Sequence, residues 1–314
     1  AITAAANNDT LLIAGSSSTY SETINLTKPL TIIGEGINNP DGLNTTIGGA
    51  FWIKNASISQ GASGSKLIGI LFQGDMYING DFTGASPAQR ILANISIDRC
   101  KFTNLYPYAT VYNNFNIRNS LFADGSFYEQ GTVTGSDFRL ENCIFSNQII
   151  IGNVTIYKFK NCIFLNRTTN TFAPGISNIM VENCIFYKAE PTGASNSIFN
   201  NNITYLCNNN ALPPTTGTGN TGTGNLVNTN PLFIDYPALG AAFSWSHNYG
   251  LQAGSPAIGA GTSATNIGLT GGSFPLNQLK GYSQLPVVTS LSLPNSSVPV
   301  NGTIQGNIKA KARN

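Results

Sequence analysis

Charge is what this chain has least of. Asp, Glu, Lys and Arg make up 10% of its 314 residues, against about 25% in an ordinary globular domain. The formal net charge is +2 with no long basic run, which argues against nucleic acid and anionic membranes as partners. Lys309, Lys311 and Arg313 form the one local basic cluster and read as a strand with its charges on one face, or as a solvated tail. No apolar stretch approaches the ~18 residues of a membrane helix, so no membrane span is expected. There is one histidine, and no Cys-x-x-Cys occurs among the five cysteines, so neither a metal nor another cofactor is expected. Gly-x-Ser-x-Gly, phosphate-loop and dinucleotide patterns are also missing. The chain opens on Ala1 rather than Met, which fits a removed leader or a chain trimmed at that point.

The missing charge is replaced by Asn, Thr, Ser and Gly, while hydrophobic residues stay at 41%. That balance is not one of disorder. It suits short stacked strands joined by tight turns.

Five segments align on one another: Ile95-Ser-Ile-Asp-Arg-Cys-Lys-Phe102, Phe115-Asn-Ile-Arg-Asn-Ser-Leu-Phe122, Phe138-Arg-Leu-Glu-Asn-Cys-Ile-Phe145, Tyr157-Lys-Phe-Lys-Asn-Cys-Ile-Phe164 and Ile179-Met-Val-Glu-Asn-Cys-Ile-Phe186. Their final Phe recurs at steps of 20, 23, 19 and 22 residues. Weaker copies lie at Leu67-Ile-Gly-Ile-Leu-Phe72 and Ile198-Phe-Asn-Asn-Asn-Ile-Thr-Tyr205. Alternation before the Asn marks a short strand. Asn tolerates the left-handed conformation and turns the chain, and Cys-Ile-Phe opens the next strand. A unit this short buries its apolar face only by stacking, one strand spacing per coil. The pattern predicts an all-β, right-handed parallel β-helix with coils of about 21 residues; a leucine-rich repeat of similar period would need Leu at positions that here hold Ile, Phe, Val and Tyr.

Two ladders follow from that register. Cys100, Ser120, Cys143, Cys162 and Cys184 should stack inside. Their spacing does not forbid a disulfide, but side chains in register point the same way, so free buried thiols are expected. Two residues earlier, Asp98, Arg118, Glu141, Lys160 and Glu182 alternate in sign at every coil, an arrangement of neighbouring strands that attract one another.

Residues 1–283 are expected to form the β-helix, with the low-complexity stretch 208–225 as a flexible excursion from its wall. Residues 284–314 read as a β-hairpin appendage or cap, with Val287-Val-Thr-Ser-Leu-Ser-Leu as one strand, a turn near Pro294, and a return strand after Gly302. The opening run, with Asn8-Asp-Thr-Leu-Leu-Ile, Tyr20-Ser-Glu and Leu30-Thr-Ile-Ile-Gly, resembles the first coils of pectate-lyase-like β-helix proteins, and the Asn-Cys-x-Phe repeats look like that superfamily's middle coils. Asn230-Pro-Leu-Phe-Ile-Asp, Leu251-Gln-Ala-Gly-Ser-Pro-Ala-Ile-Gly-Ala-Gly and Ile267-Gly-Leu-Thr-Gly-Gly-Ser-Phe-Pro are similar to a group of secreted Bacteroidetes β-helix proteins. Similar proteins carry Asp where this chain has Asn266 and Gly259. The resemblance implies a secreted or cell-surface β-helix that meets polysaccharide.

Chemistry is harder to locate. The chain has 14 acidic residues, three of them taken up by the alternating ladder, and no catalytic residue is identified. His247, alone in Trp245-Ser-His-Asn-Tyr249, reads as structural. Sugar binding is easier to motivate, because aromatic rings stack on pyranose faces while polar groups fix hydroxyls. Tyr106, Tyr108, Tyr112, Tyr128, Glu129 and Arg139 fall in or beside successive inter-coil loops and are the carbohydrate-binding candidates. The expectation is a monomeric, non-catalytic glycan-binding protein, with a polysaccharide lyase or glycoside hydrolase acting on an acidic polysaccharide as the alternative.

Overall fold

The computed structural model describes residues 1–39, 42–54, 61–79, 91–108, 111–123, 125–129, 134–135, 137–151, 157–276, 287–292 and 307–311. The chain is a parallel β-solenoid. Its first sheet stacks nine strands: Thr10–Ile13, Thr31–Gly34, Lys66–Ile68, Ser96–Asp98, Phe115–Arg118, Phe138–Glu141, Tyr157–Lys160, Met180–Glu182 and Ile198–Asn200. The second, twelve-stranded, runs from Ile24–Leu26 through Phe51–Lys54, Leu71–Asn79 and Lys101–Pro107 to Ile203–Tyr205. A right-handed coil is the sense that parallel strand crossovers adopt.

The repeat register is as the sequence predicts. Arg118 pairs with both Asp98 and Glu141, Glu141 with Lys160, and Lys160 with Glu182. Within this ladder Arg118 bonds Glu141 at 3.0 Å and Lys160 forms an ion pair with Glu182 at 3.2 Å. Asn119, Asn142, Asn161, Asn183 and Asn201 all hold φ between 49° and 55°. Asn reaches that region at low cost because its short polar side chain bonds locally. Arg99 takes the same position at φ 52°. A second row of left-handed asparagines, Asn94, Asn114, Asn178 and Asn196, makes the corner that enters the first sheet.

The core is a file of rings. Phe72, Phe102, Phe122, Phe145, Phe164 and Phe186 stack rung on rung at 4.6–5.5 Å with planes within 20°. Such pairs add about 0.5–1.5 kcal/mol each beyond burial. Beside them all five cysteines are free and buried. Each thiol of the ladder donates to the carbonyl two residues before it, as Cys143 does to Glu141 at 3.3 Å and Cys184 to Glu182 at 3.3 Å. Ser120 makes the same bond at 2.6 Å, so its hydroxyl substitutes cleanly for sulfur.

The Ile of each Cys-Ile-Phe faces outward, yet Leu121, Ile144, Ile163, Ile185 and Ile203 are buried. Phe233, Tyr249, Ala257, Ile267 and Leu269, from the chain's return, cover them. This strap runs back along the asparagine corner. Asn201 donates to Ala260, Asn161 to Asn266 and Gly268, and Asn142 to Leu269 and Gly271.

The stretch 208–225, expected to leave the wall, instead follows it as a further coil. Thr221 bridges Ile198 and Leu226 bridges Ile203, and Asn220 and Asn225 accept from Ser197 and Asn202. Its glycines make this possible, since a Cβ on Gly222 would lie 1.8 Å from the carbonyl oxygen of Phe199. Val287–Ser292 pairs antiparallel with Asn307–Lys311, a small hairpin as expected. Its turn, and Arg313, lie outside the described residues.

Candidate functional site

The structure does not bring the six sequence candidates together. Alternation along Lys101–Pro107 buries Leu105 and Pro107 and turns Tyr106 outward. Likewise Phe127 points in and Tyr128 out, 38% exposed. Tyr108, half-buried, lies two residues on from Tyr106. Tyr112 is fully buried; its hydroxyl donates to the Ile78 carbonyl at 2.7 Å and accepts from the Tyr108 N–H at 3.0 Å. Glu129 follows Tyr128 in the alternation and is 9% exposed, with its charge acting on the buried Tyr112 and Tyr157. Arg139 belongs to another wall, the outer face of the first sheet, where it pairs with Asp137.

Two further rings join the two outward tyrosines. Strand pairing sets Trp52 against Tyr77 and Tyr77 against Tyr106, and the next coil supplies Tyr128. The column steps from Trp52 to Tyr77 at 3.9 Å and 13°, then to Tyr106 at 5.2 Å and 20°, then to Tyr128 at 6.3 Å and 73°. The first three rings share faces, so their edges and hydroxyls point outward, while Tyr128 is turned across the file. Lys54 sits over the Trp52 ring at 4.8 Å.

A polar row flanks the rings. Asp75 accepts from the Tyr77 hydroxyl at 3.0 Å and from the Asn104 amide at 2.8 Å, and Asn104 accepts from the Ser126 N–H at 2.9 Å. A carboxylate has about four acceptor positions, so these bonds leave capacity on Asp75. Burial first, then the hydrogen bond to Asp75, pushes the Tyr77 phenol up to about 12. Burial and the same carboxylate also raise Tyr106. Both phenols therefore stay neutral donors at ordinary pH. Sequence reading missed Trp52 and Tyr77 because their coils lack the Asn-Cys-Ile-Phe signature; the signal was an aromatic at the outward position of each strand.

A second feature lies on the first sheet. A shallow groove of about 280 Å³ is lined by Arg139, Glu141, Lys158, Lys160, Met180 and Glu182. Lys158 and Arg139 both bond Asp137. Burial alone would raise that carboxyl, but the two ion pairs outweigh it and hold it below the usual range. Among the described residues no cluster of three or more His, Cys, Asp or Glu could hold a metal, and no helix is long and apolar enough to cross a membrane. No family model matches this chain, and no curated protein matches it.

Proposed function

We propose that this chain is a secreted or cell-surface β-helix that binds a polysaccharide without cleaving it, through the wall formed by Trp52, Tyr77, Tyr106 and Tyr128. The observation that carries the reading is the four-ring column with a hydrogen-bonding row beside it. Rings one strand spacing apart make an apolar ribbon along the solenoid axis, about 5 Å per rung. A sugar polymer laid along it meets C–H edges and neutral phenol donors, with Asp75 and Asn104 placed for its hydroxyls. Tyr128, turned and exposed, offers the ring face on which a pyranose stacks. The resemblance of the opening coils to pectate-lyase-like proteins, and of the C-terminal third to secreted Bacteroidetes β-helix proteins, supports a glycan partner and an extracytoplasmic setting.

Affinity electrophoresis against a panel of neutral and acidic polysaccharides tests this. Retardation by at least one polymer is expected, lost in Tyr128→Ala with the fold retained. No retardation across the panel would overturn it.

One observation favours an enzyme. Glu141 and Glu182 flank Lys160 in the first-sheet groove, two rungs or roughly 10 Å apart along the backbone, close to the ~6.5–9.5 Å carboxyl separation of inverting glycosidases. Against it, each carboxylate already holds a cation, Arg118 or Lys160. Release of reducing ends or unsaturated uronate, abolished by Glu141→Gln, would establish the enzyme and displace the binding reading.

A further inference from the structure

Successive rungs of the aromatic wall carry the same pair of outward side chains. Asp75 and Tyr77 flank the buried Met76, Asn104 and Tyr106 flank the buried Leu105, and Ser126 and Tyr128 flank the buried Phe127. Strand pairing sets Asp75 beside Asn104 and Tyr77 beside Tyr106, and aligns Leu105 with both Met76 and Phe127. The wall is therefore two parallel columns, one polar and one aromatic, each advancing by one residue per coil. Trp52 adds a fourth ring, paired with Tyr77, and there Ala50 stands where the other rungs hold a polar residue.

A site with one ring and one hydrogen-bonding group per rung fits a ligand that repeats at the same interval, about 5 Å. A pyranose chain joined through equatorial bonds at both ends of each ring advances by one ring length per unit and keeps pace with the coils. A chain with an axial bond at each link curls away from a straight wall. Charge narrows the ligand further. The two columns contain one charged residue, Asp75, and no cation. Burial, joined by that carboxylate, raises the phenols of Tyr77 and Tyr106 and keeps them neutral. Lys54 lies over the Trp52 ring, at the other end of the file from Tyr128. A polymer with a carboxylate on every unit would meet Asp75 at the centre of the wall with nothing in the columns to balance it.

We propose, building on the glycan reading of this wall, that its ligand is an extended, uncharged glycan of β-1,4-linked glucose, mannose or xylose, held at one sugar per coil. Each unit lies against one ring and brings a hydroxyl to Asp75, Asn104 or Ser126. Asp75 has acceptor positions left beyond its bonds to Tyr77 and Asn104. It accepts from a hydroxyl and repels a carboxylate, so one side chain both binds the neutral chain and rejects the acidic one.

Calorimetric titration of the full chain tests this, with cellohexaose, mannohexaose and xylohexaose as probes and maltohexaose and a β-1,4-linked glucuronan hexamer as contrasts. At least one of the three probes should bind saturably. Within its series, affinity should rise about two- to tenfold per added sugar and level off at the tetramer, because the column has four rings. In Trp52→Ala it should level off at the trimer. Maltohexaose and the glucuronan should each bind at least about tenfold more weakly, and Asp75→Asn should narrow the gap for the glucuronan alone. Maltohexaose binding as tightly as the best probe would overturn the match between sugar and coil. The glucuronan binding as tightly would overturn the uncharged ligand. Retardation by some polymer in electrophoresis, with no binding of the three probes, would overturn this ligand and leave the glycan reading standing; failure of both would overturn the two together.

Discussion

Asn161 donates its side-chain amide to the carbonyl of Asn266 at 3.0 Å, joining residues 105 positions apart. The same amide reaches Gly268 at 3.1 Å. Its backbone, at φ 53°, turns the coil. One residue thus makes a corner and anchors the strap that covers the outward isoleucines. The two roles separate experimentally. Asn161→Gly keeps the corner and loses the anchor, and should cost about 1–2 kcal/mol. Asn161→Ala also forces a Cβ-bearing residue without a polar tip into the left-handed region and should cost about 1 kcal/mol more. Urea denaturation of both variants separates the two roles; no loss in Asn161→Gly would deny the strap its anchoring role, and equal losses in the two would deny the strain at the corner.

The Thr-Gly coil should be intolerant of a single methyl. Gly222→Ala places a Cβ on the Phe199 carbonyl oxygen, so the last coil must shift. A loss of about 1–3 kcal/mol is expected. Gly254→Ala is the control for steric contact: at φ +83° with nothing within 4 Å of the new Cβ, it should cost only the left-handed strain of about 1 kcal/mol.

Reversing one member of the charge ladder should be felt through its neighbours. Lys160→Glu sets carboxylates on three successive rungs, from Glu141 to Glu182. Stability should fall by about 1 kcal/mol at low salt and partly recover with added salt. Asp137 supplies the pH dependence. Its folded pKa lies below the ordinary value, so its contribution is complete above about pH 4 and disappears as pH falls through the folded value. Asp137→Asn should flatten the acid limb of a stability–pH curve.

The thiols predict an alkaline limb. Burial pushes Cys100 and Cys207 up to about 12, and burial likewise raises the stacked Cys143 and Cys184, each of which donates to a carbonyl. Their raised folded values mean stability is whole below about pH 9 and declines between there and pH 12, as the unfolded chain sheds thiol protons first. A thiol reagent at pH 8 should modify none of the five in the native protein and all five after denaturation. Rapid native labelling, or a mass two units low per missing thiol pair, would contradict the free, buried ladder.

The middle coils were legible because each rung repeats the same local instruction: alternate, turn at Asn, bury Cys and Phe. The charge ladder and the phenylalanine file follow from that register alone. What the Ile of each triplet faces was not legible, because its cover comes from Phe233, Tyr249, Ala257, Ile267 and Leu269, on a later return of the chain. The same limit applied to the tyrosines. Tyr112 and Glu129 read from the sequence as inter-coil loop residues beside Tyr106 and Tyr128, but the strands continue further than the repeat suggests, and period two sends neighbours to opposite sides. The Thr-Gly stretch misled for a related reason. Its composition suits a linker, yet small residues are also what a coil needs to lie backbone against backbone.

The aromatic wall can be tested at its own first ring. The chain has two tryptophans, so Trp245→Phe leaves Trp52 as the sole tryptophan, stacked on Tyr77 at 3.9 Å and selected by excitation at the red edge of indole absorption. Fluorescence titration of that variant with soluble neutral polysaccharides should give a saturable change in Trp52 emission that Tyr128→Ala suppresses. An emission unchanged by every polymer, or a change that persists in Tyr128→Ala, would contradict a glycan lying along the wall.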